Sequence, residues 1–578
     1  RTERIMAEYL SPGVYLEEFD SGPVPMAGGG TSTVGFVGVA EKGPVIGSPV
    51  LVTSPSDFTK KFGGYLSASE FGEYRYLAYA VNHFFINGGS RAFVMRVAPS
   101  DAVTAASKCV EGKEGIIDIK AKNPGAWGNS VVVTFAPASE SKSQVLEDLG
   151  EGKYRLKNAV GFNPGDIVST DGLEKPEYNV VKAAKGNKVT FEKPFKAKIV
   201  DTNVVPKIKI KTCELKVKVE NDDVSEVYEL ATLNVNVPEF IEKVMAKSEI
   251  VDLTAKPLTE AKNPMDLVRE VFGGKDEEIV VPLVGGTNGA AASLTDADFI
   301  GKDGGPGERT GIQAFLDNSV VSLMAVPGIV SPNVELALVN HCEKLGSRFA
   351  VLDMPQNLKT PTDLLQHRDI VDSDYCAMYH PWLKVFDPLD KRDIYIPPSG
   401  SILGIYARSD NARGVHKAPA NEVVANCTGL SVNYNVGEQD MLNPKGVNLI
   451  RRFPGAGIRV WGARTATSRP LWKYINVRRL FIYLEESIKA NTNWVVFEPN
   501  DPALWARVQR TIEIFLEGVW KSGALAGGGP GDSFFVDIGT NTMSQDDINN
   551  GRLVCVIGVA PVKPAEFVIF RVTQKTGE

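Results

Sequence analysis

The chain has 578 residues, of which 43% are hydrophobic and 23% are charged, and this composition predicts a globular protein of roughly two to four domains. The formal net charge of −7 is spread over both halves, which argues against a nucleic-acid partner, because nucleic-acid-binding proteins concentrate basic residues on one face. No apolar run reaches the roughly 18 residues that a membrane span needs, so no membrane insertion of this chain is expected.

Cysteine usage and the first residues indicate the compartment. The closest two of the six cysteines are 34 positions apart, which excludes the clustered thiols of a disulfide framework or a structural zinc site. Met6-Ala7 is typical of a natural start, so residues 1–5 are expected to be an extension, and no signal-peptide apolar region follows. We therefore expect a protein that folds and assembles in a cytoplasm.

An extended segment precedes the first predicted core strand. Residues Val14–Glu17 follow a Ser-Pro-Gly turn, and residues 21–30 contain two prolines and three consecutive glycines. The first buried-strand pattern begins only at Thr33. Residues 1–32 are therefore predicted to form an N-terminal arm on a flexible linker, free to pair away from the first core element.

An α/β pattern follows the arm, and we assign residues 33–139 to the first part of an α/β core domain. Leu77, Val81, Phe84 and Phe85 share one helical face, and Asn87-Gly88 supplies the residues of a helix C-cap. A strand is predicted at Ala92–Val97.

Residues 140–254 change to short strands and turns, which predicts an inserted β-rich outer domain. Period-two alternation at Lys207–Ile210 and Leu215–Val219 is typical of half-exposed antiparallel strands. The alternating lysines could form a nucleic-acid stripe, but no aromatic residues interleave and Glu220 follows at once. The favoured interpretation is a solvated sheet face that lysine protects against aggregation.

The α/β pattern returns at residues 255–379, which we assign to the second part of the core domain. Helices at 312–316 and 334–345 alternate with strands at 320–326 and 349–354, which predicts a parallel-sheet segment.

Residues 380–552 are predicted to form a C-terminal α+β domain with two amphipathic helices. The second helix begins at Pro502 after Asn500-Asp501, an N-cap pattern, and buries Leu504 through Val519 at helical spacing. Residues 553–578 form a C-terminal strand and arm, with strand patterns at Leu553–Val559 and Glu566–Val572. The fold class is thus α+β multidomain, with α/β core domains, an inserted β-rich domain and extended terminal arms.

No arrangement of residues predicts catalysis, a cofactor or a metal. The five histidines lack metal-ligand spacing, and no hydrolase elbow, zinc-protease motif or phosphate-binding loop is present. Asp353 is expected at a solvated or capping position, and the basic pair Arg478-Arg479 in salt bridges within or between subunits. We therefore expect that the protein is not an enzyme.

The two ends pose a physical problem, because an exposed apolar strand such as Phe567–Phe570 promotes aggregation. Ordering an arm of about 12 residues costs ~12–24 kcal/mol of backbone entropy, and a Gly/Pro linker buries little to offset it. Pairing with the sheet edge of another subunit supplies backbone hydrogen bonds. A subunit that donates a strand at one place and receives one at another builds rings or helices.

Motifs along the whole chain resemble one known family, the contractile tail sheath proteins of myophage-type tails and related injection systems. The motifs lie in order from residue 9 to residue 570, and residues 140–254 match least, as expected for the outward, variable part of sheath proteins. They are Tyr9–Glu18, Phe84–Gly89, Asn123–Asn129, Leu283–Gly289, Tyr379–Trp382, Ile396–Gly400, Ala418–Asn421, Val460–Thr465, Tyr474–Leu480, Phe497–Asp501 and Lys563–Phe567.

The resemblance implies a structural subunit of a virion tail or contractile particle, assembled in the cytoplasm of a bacterial host. Its implied partners are further copies in a six-fold helical sheath, a tail tube protein, and baseplate and tail terminator proteins. Contraction would drive the tube through a target envelope, with energy stored in a metastable packing and no cofactor.

The resemblance also implies roles for particular residues. The intersubunit arms would be Val14, Tyr15, Leu16 and Glu17 at one end and Phe567, Val568, Ile569, Phe570, Arg571 and Val572 at the other. The second helix of residues 380–552 would face the tube, with candidate polar contacts at Arg507, Arg510, Glu513, Glu517 and Lys521.

Two alternatives stay open at this point. The chain could be a hydrolase with a β-rich accessory domain, whose dispersed active site escapes motif searches. It could also be a monomeric binding module carried by residues 140–254. Long polymers would distinguish the sheath subunit from the enzyme, and deletion of residues 140–254 would distinguish it from the binding module, because assembly should survive that deletion.

Overall fold

A computed structural model of the protein describes Met26, residues 28–200 and residues 208–569. These residues divide into two compact units. The large unit contains Ser32–Ser409 and Pro419–Ile475, and the small unit contains Asp410–Ala418, the described residues before 32 and those from Asn476 onward. In the described ranges, no helix is long and apolar enough to cross a membrane.

The large unit begins with the predicted α/β pattern. A helix ends at the predicted C-cap Asn87, with Leu77, Val81 and Phe84 buried, and the predicted strand at 92–97 is confirmed. The elements are β1 (Val34–Val39), β2 (Val50–Val52), α1 (Pro55–Phe62), α2 (Ala68–Phe71), α3 (Leu77–Ile86) and β3 (Ala92–Val97).

Antiparallel strands dominate the next part of the large unit, as the period-two alternation predicts. The elements in chain order are β4 (Ala106–Ser107), β5 (Ile117–Ala121), β6 (Val132–Ala138), β7 (Lys142–Gly150), β8 (Lys153–Leu156), β9 (Ile167–Asp171), β10 (Tyr178–Lys185), β11 (Lys188–Phe191), β12 (Lys209–Thr212), β13 (Glu214–Glu220), β14 (Ser225–Ala231), α4 (Ile241–Met245), β15 (Val251–Ala255), α5 (Pro264–Phe272) and β16 (Ile279–Val284).

These strands form two separate structures. Strands β7 to β12 close into a six-stranded barrel in the order β10-β11-β8-β7-β12-β9, around buried side chains such as Tyr154, Phe191 and Ile210. The remaining strands form a seven-stranded sheet in the order β14-β13-β6-β16-β4-β5-β15. This sheet therefore extends beyond the limits 140 and 254 predicted for the β-rich domain, because β6 and β16 pair with each other and β6 pairs with β13.

The last part of the large unit completes a parallel sheet, as predicted for residues 311–354. The predicted helix at 312–316 is instead a 3-10 helix, Gly311–Phe315. The further elements are α6 (Asp296–Ile300), β17 (Leu323–Ala325), α7 (Pro332–Leu345), β18 (Phe349–Asp353), α8 (Pro361–Arg368), β19 (Cys376–His380), β20 (Leu383–Asp387), β21 (Arg392–Ile396), α9 (Ser399–Arg413), β22 (Gly429–Leu430), α10 (Val436–Leu442), β23 (Val447–Phe453) and β24 (Gly457–Val460).

The eight strands of this sheet lie in the order β2-β3-β1-β17-β18-β19-β23-β24, with parallel pairing from β3 through β23. Its core includes Val37, Met324, Leu352 and Met378. The observed mixture of several sheets and helices confirms the α/β and β-rich character of the predicted fold class. The strand-donating arms remain a prediction.

The small unit contains the two predicted amphipathic helices. The second helix begins as predicted, since Pro502 occupies its first turn and the Asp501 side chain accepts a 2.8 Å hydrogen bond from the Leu504 amide. The elements are α11 (Ile475–Asn491), α12 (Pro502–Lys521), α13 (Pro530–Ser533), β25 (Phe534–Ile538), α14 (Gln545–Asn549) and β26 (Cys555–Val559). Helix α12 buries Val508, Ile512 and Leu516 against Val536 and Ile538 of β25.

Candidate intersubunit interface

The small unit contains a sheet of only two strands. Strands β25 and β26 pair antiparallel, with Val536 opposite Ile557. Among the described residues, no further strand pairs with either edge. A two-stranded sheet is marginally stable by itself, so its packing on α12 and the pairing of its free edges decide its stability.

Hydrogen-bond alternation identifies the groups on the free edge of β26. The Ala560 amide donates to the Ser533 carbonyl at 2.8 Å and so points towards the β25 side, whereas the Ala560 carbonyl accepts from the Ala526 amide at 2.8 Å. Because hydrogen-bonded and non-hydrogen-bonded pairs alternate along an antiparallel ladder, the amides and carbonyls of Cys555, Ile557 and Val559 point away from β25. The β26 edge therefore presents three residues with the spacing that an added strand requires.

The free edge of β25 is partly occupied. The Gln509 side chain, on α12, donates from Nε2 to the Val536 carbonyl at 3.3 Å. The same amide donates to the Glu513 carboxylate at 2.8 Å, so the helix holds the glutamine in place. The β26 edge is thus the more accessible of the two, a difference that the sequence did not reveal.

The outer face of this sheet is apolar apart from the half-buried Asp537. Phe535 and Val556 are exposed there, whereas Val536 and Ile538 face the core. The Phe535 ring lies over Gly558, directly opposite, where a Cβ atom would be 2.0 Å from ring atom Cε1. Glycine at 558 therefore leaves room for the aromatic ring on the exposed face.

The predicted C-terminal arm continues beyond this sheet. Pro561 forms an isolated antiparallel bridge with Leu525, and the Val562 amide donates to the Ala524 carbonyl at 3.2 Å. Residues 562–569 form no strand, and Phe567, Val568 and Ile569 are 73%, 67% and 80% exposed. The predicted strand Glu566–Val572 is therefore absent from its described part in a single chain. Three consecutive exposed apolar side chains fit a segment whose partner is another molecule. Phe570, Arg571 and Val572 lie outside the described residues.

The N-terminal arm residues Val14, Tyr15, Leu16 and Glu17 also lie outside the described residues, and of the linker that follows them the structure describes Met26 and residues 28–31. The Gly29 amide donates to Ser487 Oγ at 2.9 Å, and a Cβ at Gly28 would lie 2.4 Å from the Tyr483 hydroxyl. Both partners belong to α11. The glycines predicted as a flexible linker therefore also permit close contact with this helix.

A buried ion pair fixes the end of this linker. Arg479 donates to both carboxylate oxygens of Asp410, at 3.0 and 2.5 Å, and to the Thr31 carbonyl at 3.0 Å. The Arg479 and Asp410 side chains are each 3% exposed. The salt bridge expected for this arginine is confirmed, and it joins α11 to the residue that follows the glycines.

The predicted tube-facing residues lie on the side of α12 away from its apolar face. Arg507, Arg510 and Lys521 are exposed, and Glu513 and Glu517 are half-buried. Lys521 pairs with Glu517 at 2.7 Å, and the Arg507 guanidinium lies 4.4 Å from the Trp494 ring centre. The tube-facing role of this surface stays a prediction.

A second exposed feature precedes α12. Phe497 is fully exposed, and its φ of +69° is in the left-handed region that bulky side chains disfavour. The exposed Val496 adjoins it. An exposed aromatic ring on a strained backbone is a feature of contact surfaces. The sequence of the motif Phe497–Asp501 did not show which of its side chains would be exposed.

Asp353, a buried polar residue of the large unit, has a structural role. Asp353 accepts hydrogen bonds from the Ser399 amide at 2.8 Å and from Ser399 Oγ at 2.7 Å, so it occupies a buried position near the start of α9. The alternative that Asp353 is solvated is therefore wrong. Burial raises the pKa of Asp353 to about 6 and lowers the pKa of His380 to about 4. Within the residues that the structure describes, no group of three His, Cys, Asp or Glu side chains could hold a metal ion.

Comparison with known proteins gives consistent matches. Residues 304–466 match the phage tail sheath protein central domain, and residues 467–575 match the phage tail sheath C-terminal domain. The chain is 26% identical over 307 residues to a putative prophage major tail sheath protein of Pseudomonas aeruginosa (strain UCBPP-PA14), covering 51% of this chain and 77% of that one. It is 25% identical over 276 residues to the tail sheath protein of Escherichia phage P2, covering 46% and 66% respectively.

The fold is similar to a solved structure over nearly the whole chain. The sheath complex of the extracellular contractile injection system PVC, in its contracted state, superposes with a TM-score of 0.52 at 20% identity, covering 99% of each chain. At this identity the similarity concerns the fold alone. It includes the region before residue 304, which the two domain matches do not reach.

Proposed function

Since the chain belongs to the contractile tail sheath protein family, we propose that it is a structural subunit that polymerises around a tail tube and contracts to drive the tube through a target envelope. The observation that carries this proposal is the pair of adjoining sheath-domain matches over residues 304–575. Its partners would be other copies in a six-fold helical sheath, the tube protein, and baseplate and tail terminator proteins.

The small unit supplies the mechanism for linking subunits. The β26 edge presents Cys555, Ile557 and Val559 to an incoming strand, and the exposed residues Phe567–Ile569 form no strand in the single chain. The C-terminal arm of one copy, and the N-terminal arm at 14–17 of another, would add strands to this sheet by β-augmentation. Because donor and acceptor surfaces differ, the contact propagates from copy to copy.

The polar face of α12 is the surface that we assign to the tube. Arg507, Arg510 and Lys521 would contribute charges that can form or exchange ion pairs as the tube passes. Such exposed pairs are individually weak, which suits a surface that must release its partner during contraction.

We assign no enzymatic activity to the chain. The relatives described above are sheath proteins, and none is a hydrolase. Contraction would draw on a metastable packing of the extended assembly, released when subunits form larger contacts. The assembled particle would be a virion tail or contractile particle, built in a bacterial cytoplasm.

Sedimentation and electron microscopy of the purified chain, with and without its tube protein, test this function. The proposal predicts concentration-dependent helical polymers that are longer and more regular when the tube is present. A small discrete species at every protein concentration, with or without the tube, would contradict it.

A further inference from the structure

The barrel differs in charge from the rest of the chain. Residues 142–212 contain fourteen lysines and arginines against nine acidic residues, a net charge of +5, whereas the whole chain carries −7. The remainder of the chain therefore carries −12. The barrel is thus net positive, and the rest of the chain is net negative.

The barrel places like charges directly opposite one another. Lys185 on β10 faces Lys188 on β11, and Lys188 faces Arg155 on β8, so three cations form one row across three neighbouring strands. We call these three residues the basic row. Like charges at directly opposite positions destabilise a sheet. In the described part of the chain, Arg155 pairs with Glu147 at 3.0 Å, and neither lysine of the row makes an ion pair.

Protection of a sheet edge does not explain the whole row. Lysine on an edge strand prevents aggregation by discouraging further pairing. At Lys188 and Arg155 the strands β11 and β8 have a neighbour on both sides, so these two residues protect no open edge. Only Lys185 lies beyond the last β9–β10 pair, which is Val180 with Ile167.

The basic row lies far from the place where the barrel contacts the rest of the large unit, so acidic residues of the same chain at that place do not neutralise it. Tyr178, at the start of β10, contacts Asn263 of the large unit through a 3.3 Å hydrogen bond. Lys185 lies seven residues further along the same strand, about 23 Å away at the rise of an extended chain. That distance exceeds the screening length of about 8 Å at physiological salt, so the acidic residues near Asn263 do not neutralise the row.

An exposed acidic loop provides the complementary charge. Asp276, Glu277 and Glu278 precede β16 and are all exposed. The described residues place no lysine or arginine within ion-pair distance of their carboxylates. A linear polyanion is a poorer fit than this loop, because the aromatic rings of the described barrel are buried, Tyr178 apart, and cannot stack on bases or sugars.

We propose that the basic row of the barrel, Lys185, Lys188 and Arg155, binds the acidic loop 276–278 of a neighbouring copy of this chain. The proposal rests on the proposed polymerisation, which brings copies together. It adds a second, electrostatic contact to the strand exchange at β26, and this contact weakens with salt.

The substitution Lys188→Glu separates docking from folding. It converts both like-charge pairs of the row into ion pairs, so the isolated chain should be at least as stable as the wild type. Polymerisation should nevertheless weaken, with about a tenfold rise in critical concentration at ~0.05 M salt and a smaller rise at ~0.5 M. Lys198→Glu, at an exposed position outside the row, is the matched control and should change neither property.

A compensating substitution and a cross-linking measurement complete the test. Adding Glu277→Lys and Glu278→Lys to Lys188→Glu should restore part of the lost polymerisation. A carbodiimide should join Lys185 or Lys188 to Glu277 or Glu278 of another copy in concentrated wild-type protein, whether or not helical polymers form. Equal polymerisation of the Lys188→Glu and Lys198→Glu proteins, or cross-links only elsewhere, would overturn the proposal. Absence of any wild-type polymer would instead contradict the proposed function.

Discussion

A proline at position 557 should block strand addition while leaving the sheet of the small unit intact. The Ile557 amide points away from β25, so Ile557→Pro removes a donor from the free edge and none from the β25–β26 ladder. The proline ring also occupies space that an added strand would need. The two neighbouring positions lack this property, because the amides of Val556 and Gly558 face β25.

The size of the effect follows from the number of edge groups. Cys555, Ile557 and Val559 offer three amides and three carbonyls, and six backbone hydrogen bonds contribute about 3–9 kcal/mol at 0.5–1.5 kcal/mol each. Losing one bond, with the steric block, should cost each contact at least about 1.4 kcal/mol, or tenfold in affinity. We therefore expect a critical concentration for polymerisation at least about tenfold higher.

The control is Ile557→Ala, which loses the same side chain and keeps the amide. Both variants lose the packing of a half-buried isoleucine, so both should be less stable by similar amounts in denaturant titrations. Only the proline variant should lose ordered polymers in sedimentation and electron microscopy. Equal polymerisation of the two variants would refute the assignment of this edge as the acceptor.

Three further results are expected. Asp410→Ala should destabilise the small unit by about 3–5 kcal/mol, because it leaves the buried Arg479 guanidinium without its carboxylate. Hydrogen exchange of α11 measures this loss of stability, and a loss below about 1 kcal/mol would be inconsistent with the buried pair. Burial raises the pKa of Glu214 to about 7, so the folded protein favours the protonated carboxyl group. The free energy of unfolding should therefore fall as the pH rises from about 4.5 to above 7, and Glu214→Gln should remove on the order of 3 kcal/mol of that fall. Thermal unfolding measures this, and an unchanged pH dependence in the variant would be the contrary outcome. Deleting residues 564–578 should leave folded monomers that build no ordered sheath, and normal tubes from this truncation would exclude donation by the C-terminal arm.

Local chemistry made parts of the fold predictable. The start of α12 was readable because Asp501 and Pro502 occupy cap and first-turn positions and the apolar residues recur at helical spacing. The parallel strands near 323 and 349 were readable because buried strands of α/β sheets form continuous apolar runs.

Long-range pairing was not predictable in the same way. Whether β7–β12 close into a barrel depends on pairs such as β9 with β12, which are about 40 residues apart and carry no local signal. For the same reason the extent of the seven-stranded sheet could not be predicted, because the local pattern of β6 is that of the preceding α/β segment and its pairing partner is β13.

The candidate interface was only partly readable. An exposed apolar C-terminal segment and a Gly/Pro linker could be recognised from composition, and the paired arginines at 478–479 suggested salt bridges. The accessible edge of the small-unit sheet could not be recognised from composition. It depends on which amides of β26 face outward and on the Gln509 side chain that occupies the edge of β25. These are properties of register, and register follows from three-dimensional packing.

A near-atomic cryo-electron microscopy map of the assembled polymer would test strand exchange most directly. We predict that the β26 edge at Cys555–Val559 is paired with a strand from the terminal residues of another copy, so that each small-unit sheet contains more than two strands and more than one chain. A map in which both termini fold onto their own chain, with a two-stranded sheet in every copy, would contradict the proposed linkage between subunits.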